Sequence, residues 1–215
     1  MMPPVRAVLF DLDGTLTDRA ATLRAAGTRL GAGVAGMDDL LRRDPHGRWG
    51  TRRVLASLPG VSLRSWRQAI EQSIVPSPHA DVVNRLRASG IRVGVVTNGG
   101  RATQRAKLRR LRLTFDAVVI SGEVGVRKPD ERIFRLALAR LGVAAADATF
   151  VGDDPEWDLA PARRLGMEAW PAAEIGGLEN ALAPPRSIGL CSGASGEVVR
   201  PQIECKETPC IDTET

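Results

Sequence analysis

The twelve residues Val5-Arg6-Ala7-Val8-Leu9-Phe10-Asp11-Leu12-Asp13-Gly14-Thr15-Leu16 decide the fold. Residues 5–10 read as a short buried strand, and the run stops at an acidic, glycine-containing turn. Two carboxylates, Asp11 and Asp13, are thereby delivered to the place where a strand ends.

The same arrangement recurs downstream. Residues 91–97, IRVGVVT, predict a second buried strand, followed by the turn Asn98-Gly99-Gly100 and a basic helix through Leu111. Residues 117–120 predict a third strand. A helix over 130–141 leads to a strand at 148–151, then to Gly152-Asp153-Asp154, a helix through Arg164, Gly166 and a last short strand at 168–170. Ahead of the second strand, Ser77-Pro78 offers a helix start with Ser as N-cap and Pro at the first helical position, and Gly90 offers its stop. This alternation implies right-handed crossovers and an α/β, Rossmann-like parallel sheet covered on both faces.

Between the first strand and that helix the pattern changes. Leu23, Leu30, Leu40, Leu41, Val54, Leu55, Leu58, Trp66 and Ile70 are spaced as helical faces with Gly and Pro breaks between them, which predicts a small helical insertion with Trp66 in its core. Past about residue 182 the pattern stops at Ala183-Pro184-Pro185, and the remainder reads as a flexible tail available to a protein partner. The expected division is a core of 1–16 and 78–182, a helical cap of 17–77 and a tail of 183–215.

The chain has 215 residues, 43% hydrophobic and 26% charged, an ordinary globular composition. No run approaches the roughly 20 apolar residues of a membrane span, and the first four residues lack the basic and apolar regions of a signal peptide. A soluble, cytoplasmic protein is the expectation. The three cysteines, Cys191, Cys205 and Cys210, all lie in the tail and fit no zinc spacing. The net charge is +5, with the body more basic than the tail. A basic body suits nucleic acid or a small anionic substrate alike, but a chain with no Tyr and 4% aromatic residues has little to stack on bases, so nucleic acid is not expected.

In a doubly wound sheet the loops at the carboxyl ends of the strands gather into one crevice. Four such segments here carry chemistry: Asp11 and Asp13, Thr97 and Asn98, Lys128, and Asp153, Asp154 and Asp158. Taken one at a time, Asp and Asn at strand ends are turn formers. Taken together, converging carboxylates would repel one another without a cation, which points to a hard metal with oxygen ligands, magnesium, and a metal in turn suggests a phosphoryl substrate.

These segments resemble the four motifs of the haloacid dehalogenase-like hydrolases. Asp11-Leu12-Asp13-Gly14-Thr15-Leu16 is similar to the first, Val96-Thr97-Asn98-Gly99 to the second, Gly125-Val126-Arg127-Lys128-Pro129-Asp130 to the third, and Val151-Gly152-Asp153-Asp154 with Asp158 to the fourth. Gln104, Lys107-Leu108, Phe115-Asp116 and Ser121-Gly122-Glu123 resemble the branch whose helical cap follows the first motif. The resemblance covers about residues 4–170. It implies that Asp11 is a nucleophile forming an aspartyl-phosphate, and that Asp13 is the general acid and base, its backbone carbonyl also a metal ligand. It further implies that Asp11 and Asp153 hold Mg2+ with Asp158 and Asp154 in support. Thr97, Asn98 and Gly99 would bind phosphate, and Lys128 would stabilise the phosphoryl group and keep Asp11 ionised. Dehalogenases of the family lack the second aspartate, because a halide leaves without a proton; Asp13 therefore favours phosphate esters.

Residues 17–80 hold ten arginines against four aspartates and Glu71. Arg48, Trp49, Arg52 and Arg53 could bind a second anionic group, but arginines on a helix face are ordinarily solvated, and Arg109, Arg110 and Arg112 read the same way. His46 and His79 have no ligand spacing and are assigned no chemistry. The resulting expectation is a magnesium-dependent phosphatase acting on a small phosphorylated metabolite, with a phosphomutase or phosphotransferase of the same family and a non-catalytic binding module as the alternatives.

Overall fold

Ala7–Phe10, the first strand (β1), exposes none of its four residues, as a strand does when it has neighbours on both edges and cover on both faces. The computed structural model describes residues 5–178. β1 lies at the centre of a five-stranded parallel sheet with β2 (Arg92–Thr97), β3 (Ala117–Ile120), β4 (Ala148–Gly152) and β5 (Glu168–Pro171), in the order β3-β2-β1-β4-β5. Phe10, the last residue of β1, is in register with Val95 of β2 and Val151 of β4, so β2 runs two residues and β4 one residue past the end of β1. The chain travels outward from β1 through β2 to β3 and then returns to β1's other edge as β4. The reversal makes the carboxyl ends of β1 and β4 the switch point, where a crevice opens.

Alternation along β1 sends Ala7 and Leu9 to one face and Val8 and Phe10 to the other. The first face packs under α8 (Glu131–Leu141), whose Phe134 meets Phe150 edge-on with ring centroids 5.0 Å apart. The second packs with α5 (Val82–Ala88) and with Leu108 of α6 (Arg101–Leu111). Between them, α7 (Ser121–Val124) continues β3 directly.

Two elements differ from the expected ones. Ser77-Pro78 does not start a helix; α5 begins at Val82. Ser77 N–H is drawn to Leu16 O (2.9 Å) and Asp18 N–H to Val75 O (2.9 Å), so the two strands of chain that connect the insertion lie side by side, and residues 77–81 are used up in tight turns. After β4 the helix expected through Arg164 starts as a wide π-helical turn over Pro155–Leu159 before α9 (Ala160–Arg164).

The insertion between β1 and β2 contains four helices, α1 (Arg19–Leu30), α2 (Gly33–Arg43), α3 (Thr51–Ala56) and α4 (Leu63–Gln72). Asp18 Oδ1 caps α1 through Ala21 N–H at 2.8 Å, and Ser62 and Ser65 form a capping box at the start of α4. The helices close over their own apolar cluster, with Leu23, Leu40, Val54, Leu58, Trp66 and Ile70 all buried as their spacing predicts. Arg109, Arg110 and Arg112 are exposed. Among the described residues no helix is long and apolar enough to cross a membrane. The expected tail and all three cysteines lie outside the described residues.

Candidate active site

Two glycines let the ends of β1 and β4 approach their neighbours closely enough to build a site. Gly14 has φ +89°, and a Cβ placed there would stand 2.5 Å from Asp153 Oδ2. At Gly152 a Cβ would stand 2.5 Å from Asp158 Oδ2, so only glycine leaves room for Asp158 to turn inward. The π-helical turn completes this placement: Asp158 is buried, its Oδ2 accepting the Asp154 N–H at 3.2 Å.

Asp11, Asp153 and Asp158 each offer a carboxylate oxygen, and the three atoms lie within 4.8 Å of one another. Lys128 Nζ donates to Asp11 Oδ1 at 2.6 Å and to Asp158 Oδ1 at 2.5 Å. Burial drives the Asp11 carboxyl well above the ordinary range; Lys128 opposes the rise, while Asp158 and Asp153 add to it. Burial and Asp158 likewise push Asp153 up to about 6. Lys128, despite its burial, is held as the ammonium by Asp11 and Asp158. One lysine thus faces three carboxylates, and the trio is short of positive charge. A set of hard oxygen donors short of positive charge is what a divalent cation such as magnesium fits.

Asn98 reaches the site through Lys128. Its side-chain amide donates to Lys128 O (3.0 Å) and its Oδ1 accepts the Lys128 N–H (2.9 Å), fixing the lysine's backbone, where the Lys128–Pro129 peptide is cis. The Asn98 side chain therefore orients the lysine, and what the Thr97-Asn98-Gly99 turn presents to the crevice is the Thr97 hydroxyl and main-chain groups.

Asp13 is held separately from the trio. Lys107 Nζ donates to both of its oxygens at 2.6 and 2.7 Å, Gln104 Nε2 to Oδ2 at 3.0 Å and Thr17 Oγ1 to Oδ1 at 3.2 Å. Burial raises its pKa, but the Lys107 charge and these hydrogen bonds together outweigh that and hold it below the usual carboxylate range. Gln104, itself buried, also donates to Thr97 Oγ1 (2.9 Å) and Asn98 O (2.7 Å), tying the β1 and β2 loops into one network.

Asp154, grouped on sequence grounds with the metal candidates, belongs elsewhere. Its carboxylate accepts the Glu156 and Trp157 N–H groups (2.9 and 3.1 Å) at the start of the π-helical turn and a bidentate pair from Arg48 (2.6 and 2.7 Å). Arg48 also reaches Glu156 at 2.7 Å and lies over the Trp157 ring, which is not the solvated face its sequence context predicts. The same insertion loop carries His46, whose Nδ1 is 3.5 Å from Asp153 Oδ2. A cavity of about 170 Å³ lies between this loop, the apolar side of α1–α4 and the strand ends, and Asp11, Asp13, Thr97, Lys128 and Asp153 all line it.

A family model of haloacid dehalogenase-like hydrolases matches residues 5–166. The chain belongs to the haloacid dehalogenase-like hydrolases. It is 46% identical over 85 residues to a phosphoserine phosphatase of Thermus thermophilus, covering 39% of this chain and 34% of that protein. It is 30% identical over 190 residues to a glyceraldehyde 3-phosphate phosphatase of Methanothermobacter thermautotrophicus, covering 77% of this chain and 84% of that protein. Among solved structures, the magnesium-bound HAD-hydrolase YfnB of Bacillus subtilis shares the fold with a TM-score of 0.64 at 21% identity, over 84% of this chain and 99% of that one. The chain spans 34–42% of the length of the curated relatives that it matches at 39–46% identity.

Within this haloacid dehalogenase-like hydrolase, Gln104, Lys107, His46 and Arg48 are the site residues that sequence reasoning left without a role. For the first two a signal exists: positions 104 and 107 are one turn apart on α6, so both point toward the β1 loop. For His46 and Arg48 there is none, because their partners lie 107 and 106 residues away.

Proposed function

We propose that the chain is a magnesium-dependent phosphatase that hydrolyses a small phosphorylated metabolite through an aspartyl-phosphate on Asp11. The observation that carries this reading is Asp13, a second carboxylate two residues from Asp11, held apart from the Asp11–Asp153–Asp158 trio by its own lysine. A leaving halide needs no proton, whereas an alkoxide does, and a separately held carboxyl group next to the nucleophile can carry one to it.

Asp11 would attack phosphorus, and the covalent intermediate divides one difficult displacement into two easier ones. Lys128, fixed by Asn98, would place its ammonium against the transferring phosphoryl oxygens, and the Thr97 hydroxyl with the main chain of Asn98 and Gly99 would hold the remaining ones. Asp13, ionised in the free site, would take up a proton from solvent as the phosphate dianion binds beside it and give that proton to the leaving oxygen. In the ionised form that Lys107 favours it would then take one from the water that attacks the intermediate. Asp11, Asp153 and Asp158, with the Asp13 carbonyl, would hold magnesium, which when bound supplies the positive charge that offsets repulsion between Asp11 and an anionic phosphate. The four helices of the insertion would act as a cap that excludes water. The phosphatase names of the relatives above support the same chemistry.

The test is release of inorganic phosphate from a panel of phosphorylated metabolites and an aryl phosphate, with and without magnesium, for the wild type and Asp11→Asn. Magnesium-dependent release that disappears in the variant supports the proposal. A folded wild type that releases nothing, or a variant that releases as much, moves the assignment to a mutase or to a binding module.

A further inference from the structure

The net charge of residues 17–80 suggests a substrate with a second anionic group, and the structure argues the reverse. Resting on the phosphatase reading, we infer that the leaving group is a short, uncharged alcohol.

Among the described residues, six carboxylates line the cavity, Asp11, Asp13, Asp44, Asp153, Asp154 and Asp158, against three fixed cations. Each of those cations already faces a carboxylate. Lys128 is on Asp11 and Asp158, Lys107 is on Asp13, and Arg19 is 3.5 Å from Asp44 and donates to Pro45 O at 3.0 Å. His46 is turned to Asp153. Asp154 is neutralised from behind the wall by Arg48, so two positive charges on a bound divalent ion would only bring the remaining groups level and leave no surplus cation. The dianionic phosphate ester must already be accommodated there, so a further carboxylate on the leaving group would meet like charge and find no lining cation to pair with.

Arg48 is spent on Asp154 and Glu156, and several other arginines of the insertion point outward. Arg24 pairs with Asp38, Arg42 and Arg43 with Asp39, and Arg53 lies over Trp49, with the ion-paired arginine side chains at least half exposed. Beside Arg19, Asp44 and His46, whose partners are given above, the insertion turns an apolar wall of Leu23, Leu40, Val54, Trp66 and Ile70 to the cavity. Such a wall suits carbon-bound hydrogens and penalises a charge. Size narrows the class further. Sites for drug-sized ligands span about 300–1,000 Å³, and an apolar cavity of about 150 Å³ holds one benzene. The space of about 170 Å³ between the insertion and the strand ends suits a phosphoryl group with a chain of a few carbons.

The experiment compares kcat/KM, with magnesium, for n-propyl phosphate and glycerol 3-phosphate, for 2-phosphoglycolate and 3-phosphoglycerate, for a nucleoside 5′-monophosphate and for an aryl phosphate. The uncharged short esters are expected to exceed the carboxylated ones and the nucleotide by about tenfold or more. Thr51→Lys, which adds a cation at an exposed lining position, is expected to narrow the gap to the carboxylated esters. Turnover of the carboxylated esters equal to or above that of the uncharged ones overturns the inference and leaves the phosphatase reading standing. So does preference for the nucleotide, or a Thr51→Lys variant with an unchanged ratio. Absence of turnover with every compound, the aryl phosphate included, removes the phosphatase reading and this inference with it.

Discussion

Replacing Arg48 by Met keeps an unbranched apolar stem against Trp157 and deletes the guanidinium that joins the insertion to the loop after β4. Arg48 is 31% exposed in its side chain, Asp154 only 5% and Glu156 74%. The Glu156 contact is therefore worth little. The bidentate pair to Asp154 is different, because its loss strands a buried carboxylate whose remaining partners are the Glu156 and Trp157 N–H groups. Breaking a fully buried pair costs about 3–5 kcal/mol, and an ordinary charge-assisted hydrogen bond contributes about 1.5–3 kcal/mol. With the arginine nearly one-third solvated, the lower range applies, and we expect a loss of about 2 kcal/mol. For a chain of this size 1 kcal/mol moves Tm by roughly 2–4 °C, so Tm should fall by about 4–8 °C. A double-mutant cycle with Asp154→Asn, followed by urea denaturation, should return a coupling of about 1–2 kcal/mol. A Tm change of less than about 1 °C for Arg48→Met, or single effects that simply add, would refute the assignment of Asp154 to this pair.

Three further outcomes follow from the geometry. Lys107→Met should lower turnover by about ten- to a hundredfold while circular dichroism stays unchanged, because Asp13 loses the ammonium 2.6 Å away; activity within twofold of wild type would contradict the role given to that pair. Gly14→Ala forces an alanine to φ +89° and drives its Cβ to within 2.5 Å of Asp153 Oδ2, so the magnesium concentration for half-maximal activity should rise, as read from a magnesium titration; an unchanged titration would show that Asp153 is not displaced. Arg87, the main cause, and the Val93 N–H hold the Asp116 carboxyl below the usual carboxylate range. Its stabilisation is thus complete above the unfolded value of about 4 and is lost as pH falls through the lower folded value. Asp116→Asn should cost about 1 kcal/mol at pH 7, a figure already reduced for a side chain one-third solvated, and progressively less below pH 4. A deficit that is the same at pH 3 as at pH 7 would count against it.

The strands were legible because a doubly covered parallel sheet leaves each of them as a short unbroken apolar run, and the residue after each run marks a site loop. Asp11 follows from that rule, Thr97 and Asp153 lie within a residue or two of it, and Lys128, eight residues past β3, needed the resemblance of residues 125–130 to a family motif. Asp154 and Asp158 illustrate its limit. Adjacency to Asp153 favours Asp154, but the wider π-helical turn carries Asp158 into the trio and leaves Asp154 to cap the turn and meet Arg48. Lys107 was hidden by composition, as one of five basic residues on α6, of which it alone reaches Asp13. The turns at 77–81 were missed because pairing between the two connections of the insertion is a long-range contact that overrides a good local helix start. The charge of the insertion could not be placed for a related reason: a count of arginines carries no direction, and Arg48 turns inward to Asp154 while Arg24, Arg42 and Arg43 stay on the surface.

The most direct test of the central claim is to quench the enzyme with acid during turnover of a good substrate and map phosphorylation by peptide mass spectrometry. The account predicts one added phosphoryl group on the peptide containing Asp11, absent in Asp11→Asn and accumulating in Asp13→Asn if substrates with good leaving groups are used. Phosphorylation at any other residue, or turnover without a phosphorylated enzyme, would contradict it.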